Sequence, residues 1–356
     1  AASLKKAIRF VSSKPQLPIL ASFYLEAIDG KLIISATDLH VGIRESIQCN
    51  VTLPGTCIVP AKVFLELVSA VKGDVELELK EQVLFVKTQQ AGAEIQTFPV
   101  TDYPPFPEKD GQQVEFSASL LTRIVDQVGF AASIDETRPI LTSVLFLPGQ
   151  HLKAVSTDGY RLAVLDTEHE LQLSQNLLFP AKTLAEIVKS NLAGEKNVSV
   201  SISESLKQAF FTLGNTDIVV RTIDGDFPPF EKIIPSSFEI VCEVNVEDFE
   251  EHLKTAMIFS RETSGIIQLS LEGDELHLLS NSAGIGKYES KISVKNHTGA
   301  DIKIAFNGKY LMEFTQRING AICTIKMNEP LKPAMFECPE DPGFFYVAMP
   351  FRLNDN

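Results

Sequence analysis

The chain has 356 residues, enough for two or three domains, because one hydrophobic core stops growing at roughly 250–300 residues. With 44% hydrophobic and 22% charged residues, and no apolar run near the roughly 18 residues of a membrane span, the composition excludes a mainly disordered chain, a collagen-like fibre and a helical membrane protein. A net charge of −14 argues against nucleic acid as a partner, because an acidic surface repels a polyanion, but it does not say where the 32 basic residues sit.

The elements return with a period. Leu4, Ile8 and Val11 recur at helical spacing. Phe23–Ile28 and Lys31–Ser35 flank Asp29-Gly30 as a β-hairpin, and Ser35-Ala36-Thr37-Asp38 follows it. Val59-Pro60-Ala61-Lys62 then opens a second helix, and Asp102-Tyr103-Pro104-Pro105-Phe106 closes the unit as a proline-rich exit. The second unit has a strand-like run at Val114–Phe116 and a helix carrying Leu120, Leu121, Ile124, Val125 and Val128. A hairpin follows around Pro148-Gly149, then Val155-Ser156-Thr157-Asp158, Phe179-Pro180-Ala181-Lys182 and Asp226-Phe227-Pro228-Pro229-Phe230. The third has Ile240–Val244, then a helix with Phe249, Leu253 and Met257 that Asn245 is placed to cap. Its hairpin turns at Gly273-Asp274, and Leu279-Ser280-Asn281-Ser282 and Phe306-Asn307-Gly308-Lys309 hold the marker places. The turn glycines Gly30, Gly149 and Gly273 are 119 and 124 residues apart. The expectation is an α+β chain of three repeated domains, 1–112, 113–236 and 237–356, each with two helices packed on antiparallel sheets. No strand-like run precedes the first helix, so a leading strand of the first domain is expected to be missing from the numbered chain.

No catalytic constellation stands out. The five cysteines are scattered without a C-x-x-C, which favours neither zinc nor a disulfide framework and fits a reducing cytosol. No signal peptide is read. G-x-S-x-G and H-E-x-x-H are absent, and Gly284-Ile285-Gly286-Lys287-Tyr288 lacks the spacing and the Ser/Thr of a phosphate loop. Asp38 and Asp158 read either as turn residues or as paired acids; Ser282 in the third copy favours turns.

Three segments carry a family resemblance: Thr157-Asp158-Gly159-Tyr160-Arg161-Leu162-Ala163-Val164; Asp224-Gly225-Asp226-Phe227-Pro228 with Ile233-Ile234-Pro235; and Tyr346-Val347-Ala348-Met349-Pro350-Phe351-Arg352-Leu353. With the threefold repeat, the chain resembles the bacterial DNA polymerase III β subunits, the replicative sliding clamps. The resemblance implies a cytoplasmic, head-to-tail homodimeric ring whose helices line a hole for duplex DNA. It implies a processivity factor with no catalysis, cofactor or metal of its own. The implied partners are DNA of any sequence, the DNA polymerase III alpha subunit and other polymerases, and the clamp loader.

Three sites follow from it. Helix cations to face DNA are Lys5, Lys6, Arg9, Lys62, Arg123, Lys182, Lys189, Lys254, Lys309 and Arg317, with Lys14 at a DNA-contacting arginine position of the family. The six helix segments together carry +3 against −17 for the remainder, a contrast whose sign suits phosphate contact. A cleft for linear peptides of partner proteins is implied at Leu141, Thr157, Gly159, Tyr160, Arg161, Leu162, Pro228, Lys232, Ile233, Leu331, Pro333, Val347, Met349, Pro350, Phe351, Arg352 and Leu353. Tyr160, Pro333, Pro139-Ile140 and the extension Asn354-Asp355-Asn356 depart from the common pattern. Ring closure is implied between Tyr103 and Phe106 of one copy and Ile258 and Phe259 of the next, though Ile258-Phe259 alone reads as the buried end of a helix. The competing readings are a monomeric repeat scaffold that binds proteins only and a metal-dependent nuclease using Asp38 and Asp158.

Overall fold

The computed structural model describes all residues except 13, 14, 16, 171–174, 192, 193, 195, 204, 206, 262–264, 283, 285 and 353–356; Lys14 and Leu353 therefore lie outside the described residues. In the first repeat, α1 (Ala2–Ala7) runs into a tighter turn at Ile8–Phe10. It is followed by β1 (Ser22–Ile28), β2 (Lys31–Thr37), β3 (Val41–Gln48), β4 (Gly55–Pro60), α2 (Ala61–Ala70), β5 (Glu76–Lys80), β6 (Val83–Lys87) and β7 (Gly92–Gln96). The second repeat has β8 (Gln112–Ser117), α3 (Ala118–Gln127), β9 (Ser143–Leu147), β10 (Lys153–Thr157), β11 (Arg161–Asp166), β12 (Leu177–Pro180), α4 (Ala181–Asn191), β13 (Asn197–Ser203), β14 (Gln208–Leu213) and β15 (Thr216–Arg221). The third has β16 (Ile240–Asn245), α5 (Val246–Phe259), β17 (Ile266–Glu272), β18 (Glu275–Ser282), β19 (Gly286–Ser293), β20 (Lys295–Thr298), β21 (Ile302–Asn307), α6 (Gly308–Thr315), β22 (Ile322–Met327), β23 (Ala334–Glu337) and β24 (Phe344–Ala348).

Local chemistry sets these boundaries. Asp29 and Gly30 both take positive φ (49° and 73°), the left-handed pair that a two-residue hairpin needs. Asn245 caps α5, its side chain accepting from the Asp248 amide, with Glu247 and Asp248 in the first turn where the helix dipole favours acids. Phe249, Leu253 and Ala256 are the buried stripe of α5. The Thr-Asp markers are turns built twice the same way. Thr37 Oγ1 donates to the Val41 carbonyl while Asp38 Oδ1 accepts from the His40 and Val41 amides. Thr157 Oγ1 donates to the Arg161 carbonyl while Asp158 Oδ1 accepts from the Tyr160 and Arg161 amides.

The sheets do not respect the repeats. An eight-stranded sheet runs β4-β1-β2-β3-β15-β14-β13-β8, and a nine-stranded sheet runs β12-β9-β10-β11-β24-β23-β22-β16-β20. The first joins the hairpin half of repeat one to the tail half of repeat two through antiparallel β3–β15; the second joins repeat two to repeat three through β11–β24. Two smaller sheets remain, β19-β18-β17-β21 and β5-β6-β7. The compact units therefore cut through the second repeat: residues 1–122 with 183–222 form one, and 123–182 with 223–356 the other. In the first, Phe10, Phe23, Phe64, Phe210 and Phe211 are fully buried; in the second, Phe146, Phe179, Phe249, Phe306, Phe314, Phe336 and Tyr346. Strands β8 and β16, which precede first helices, pair with β13 and β22; the corresponding β5 is the outer strand of its sheet among the described residues.

The thiols divide sharply. Cys49 is exposed, and Cys57, Cys242, Cys323 and Cys338 are buried. Burial pushes the Cys57 thiol up to about 11 and the Cys242 thiol up to about 12, where little thiolate exists at neutral pH. A chromogenic disulfide reagent at pH 8 is expected to titrate one thiol per folded chain, at Cys49, and all five after denaturation.

Candidate functional site: an apolar surface and a set of helix cations

Pairing of β11 with β24 brings distant residues of the second unit together. Leu162 lies opposite Val347 and Arg161 opposite Ala348; beyond the strand ends the Met349 amide donates to the Tyr160 carbonyl at 2.9 Å. On one face, Leu145, Val155, Leu162, Val164, Leu178, Phe230, Met335 and Val347 form a continuous apolar cluster. Around it, large apolar side chains stand in solvent: Tyr160 at 57% exposure, Leu331 at 56% and Ile233 at 40%. Leu141, Pro333, Met349, Pro350 and Phe351 are half-buried, and Gly159, Pro228, Lys232 and Arg352 are exposed. The terminal segment is tied down, since Phe351 donates its amide to the Ala305 carbonyl on β21 at 2.7 Å. Solvent-facing leucine, isoleucine and tyrosine beside an exposed glycine make an apolar surface suited to an extended peptide.

Four of the expected cleft residues have other duties. Leu162 and Val347 are fully buried, so they are core beneath the surface and not contacts on it. Thr157 is buried and uses its hydroxyl within the turn, accepting from Gly159 and donating to Arg161. Arg161, 8% exposed, has no free donor face. Its Nε donates to Asp158, Nη1 to Glu313 and Nη2 to the Phe130 carbonyl, and its plane lies over the Phe130 and Tyr310 rings. Burial opposes its charge, but Tyr346, Glu313 and Asp158 outweigh that and hold the guanidinium protonated above its usual range.

The helix cations also divide. Arg123 donates to Asp341 and to the Pro342 carbonyl at 2.8 Å each. Asp341 is buried and also accepts from Gln127 Nε2 and the Asn319 amide, so Arg123 is a structural cation rather than a free phosphate ligand. Arg317 is likewise engaged, donating to the Glu313 carbonyl with its plane 4.4 Å from the Phe130 ring centre, and burial lowers its pKa. Lys6 pairs with Glu45, Arg9 with Glu186, Lys254 with Glu250 and Lys309 with Glu313. Lys5, Lys62, Lys182 and Lys189 are exposed helix lysines with no carboxylate partner among the described residues. Asp38 and Asp158 are consumed by their turns, and among the described residues no group of three or more His, Cys, Asp or Glu is placed to hold a metal.

The expected ring-closure residues separate. Tyr103 and Phe106 pack inside their own unit. The Tyr103 ring lies 5.6 Å from Tyr24, its hydroxyl faces the Ser22 and Ser35 carbonyls, and burial raises its pKa. Phe106 lies beneath Arg44 and so close to Gly42 that a Cβ there would stand 3.3 Å from the ring. Phe106 thus lies at β3 where it meets β15, and Tyr103 lies over β1 and β2; both side chains remain half-buried. Ile258, by contrast, is 47% exposed, and Phe259 stacks on Tyr288 of the edge strand β19. The sequence reading missed Asp341, Phe130, Tyr310 and Glu313. The available signal was an acid four residues beyond each marker lysine, at Glu66, Glu186 and Glu313.

Comparison with known proteins gives one answer along the chain. The family models for the DNA polymerase III beta subunit match in order: the N-terminal domain at residues 1–107, the central domain at 115–229 and the C-terminal domain at 231–352. The beta sliding clamp of Staphylococcus epidermidis is 26% identical over 364 residues, covering 98% of this chain and 96% of that protein. The crystal structure of the DNA polymerase sliding clamp from Bacillus subtilis superposes with a TM-score of 0.94 at 25% identity, covering 99% of this chain and 97% of that one. A sliding clamp from Bartonella birtlesii bound to griselimycin superposes with a TM-score of 0.93 at 26% identity, covering 99% and 96%. Among the described residues no helix is long and apolar enough to cross a membrane.

Changing Asp341 to Ala strands the donors of Arg123, Gln127 and Asn319. Because Arg123 is partly solvated, the expected loss of unfolding free energy is about 2–3 kcal/mol, read from the denaturant midpoint.

Proposed function

The chain belongs to the DNA polymerase III β-subunit family and is a DNA sliding clamp, and from that membership we propose that two copies close head to tail into a ring that encircles duplex DNA in the cytoplasm and holds polymerases without chemistry of its own. The observation that carries this is the state of the sheet edges. Within the chain, each third hairpin strand pairs with the last strand of the following repeat: β3 with β15, β11 with β24. Only the third repeat's β19 and the first repeat's β7 lack such a partner among the described residues. An exposed row of backbone donors and acceptors is a template for another strand, and a head-to-tail contact between two copies satisfies both edges twice and closes.

The repeat also gives the register. Gly42 and Leu162 sit opposite the marker threonines Thr37 and Thr157, and Lys287 sits opposite Asn281, which holds that marker place. Val219, paired with Phe210, corresponds to Glu94, paired with Phe85. Since Gly42 faces Val219, Lys287 of one copy faces Glu94 of the next, opposite charges on opposite strands. Tyr288 then faces Ala93, with Ile258 and Phe259 beside the seam.

Duplex DNA is held through phosphates by Lys5, Lys62, Lys182 and Lys189, contacts without sequence information that permit sliding. The apolar surface around Tyr160, Ile233, Leu331 and Met349 takes linear segments of the polymerase III alpha subunit, other polymerases and the clamp loader. By likeness to the Bartonella birtlesii clamp bound to griselimycin, this surface is the one proposed to take griselimycin.

Two outcomes test this reading. Changing Ile258 and Phe259 together to Asp buries unpaired charge at the seam; light scattering should then read 39.2 kDa in place of twice that value, and an undiminished dimer mass refutes the closure. Changing Lys182 and Lys189 to Glu should weaken retention on nicked circular DNA. It should also make the log–log salt dependence shallower by roughly 0.9 per lost phosphate contact, with the dimer mass unchanged.

A further inference from the structure

Arg161 and Leu162 are successive residues of β11, so their side chains point to opposite faces of the sheet. Leu162 lies beneath the peptide surface, while Arg161 reaches the other face, where α6 supplies Glu313. The carboxylate of Glu313 takes Nη1 of Arg161, and Nε of the same guanidinium takes Asp158 Oδ2 at 3.0 Å. The second oxygen of Asp158 shapes the turn through the Tyr160 and Arg161 amides at 2.9 and 3.1 Å. Tyr160 is both a rim residue of the cleft and, through its carbonyl, the anchor of Met349.

The first repeat supplies the comparison. Its turn at Thr37–Val41 has the same threonine and aspartate hydrogen bonds, yet Val41 stands where Arg161 stands. The turn therefore forms without an arginine, and the clamp is an addition at the one copy that borders the cleft. The same seam has a second ion pair, Arg123–Asp341, which also ties the second repeat to the third but shares no hydrogen bond or ion pair with the turn among the described residues.

We propose that Glu313, acting through Arg161, is a positioning residue for the peptide cleft: from the opposite face of the sheet it fixes the Asp158–Tyr160 turn, and it sets affinity without touching the peptide. This rests on the cleft reading above. Removing the Glu313 charge frees Arg161, unlocks Asp158 Oδ2 and lets Gly159 and Tyr160 move, so a bound peptide has to order the turn as it docks.

Griselimycin binding measured by calorimetry tests it with the dimeric ring. Glu313→Gln should bind about tenfold more weakly than wild type, and the Arg161→Gln, Glu313→Gln double variant no more weakly than Arg161→Gln alone, because the two act as one unit. Arg123→Gln, which breaks the other ion pair of the seam, should lower the melting temperature but bind within about twofold of wild type. Equal losses in Glu313→Gln and Arg123→Gln would reduce Glu313 to general seam stability and overturn the proposal, as would wild-type binding by Glu313→Gln. If wild type itself fails to bind, the cleft reading falls, and the proposal with it.

Discussion

Antiparallel strand pairing across repeat boundaries is the constraint on which the rest depends. A four-stranded half-sheet has two edges of unpaired amides and carbonyls, and an edge left open is a template for another strand. Here β3 and β11 are joined to the following repeat, which makes long sheets out of short halves and puts Leu162 against Val347. That junction creates the apolar surface: the cluster beneath it is the inner layer of a sheet to which two repeats contribute, and around it stand the apolar side chains those repeats leave in solvent. In the proposed ring, the same rule applied to β7 and β19 joins two chains.

Charge works on a smaller scale. The acidic total conceals helices that are close to neutral, and most of their cations are already paired. Exposed pairs such as Arg9–Glu186 and Lys254–Glu250 contribute little to stability. They do dilute the field along the helices, which suits a protein that must hold DNA loosely enough to move. The pairs at Arg161 and Arg123 belong to a different category. Arg161 is buried among acids, a carbonyl and two rings, Arg123 is half-buried against Asp341 and the Pro342 carbonyl, and both hold a seam between repeats.

The repeat, both helices of each unit, the hairpins and the Asn245 cap were legible in the sequence because each is set by residues close together in the chain. The Thr-Asp turns were legible for the same reason. What was not legible depends on partners far away. That Phe106 packs at the junction of β3 and β15 depends on a pairing that nothing near it in the chain reveals. Arg161 and Arg123 read as binding residues because their acids, Glu313 and Asp341, lie 152 and 218 positions on. Leu162 and Val347 meet across β11 and β24, and their full burial depends on the packing of that sheet, which no local sequence pattern reveals. A glutamate recurs four residues after each marker lysine, but a helix acid is ordinarily a solvated one, so the recurrence alone does not mark Glu313 as the partner of Arg161.

The claim that two copies close through β19 and β7 is most directly tested by a cross-link at the derived register. Directly opposed residues of antiparallel strands bring Cα atoms within about 4.5–5.5 Å, the range a disulfide spans. In a chain carrying Glu94→Cys, Lys287→Cys and Cys49→Ser, mild oxidation should convert the protein to a covalent species of twice 39.2 kDa in denaturing electrophoresis, with neither single cysteine variant doing so. A chain that stays at 39.2 kDa with both new thiols still titratable, although the protein is dimeric, would contradict the account.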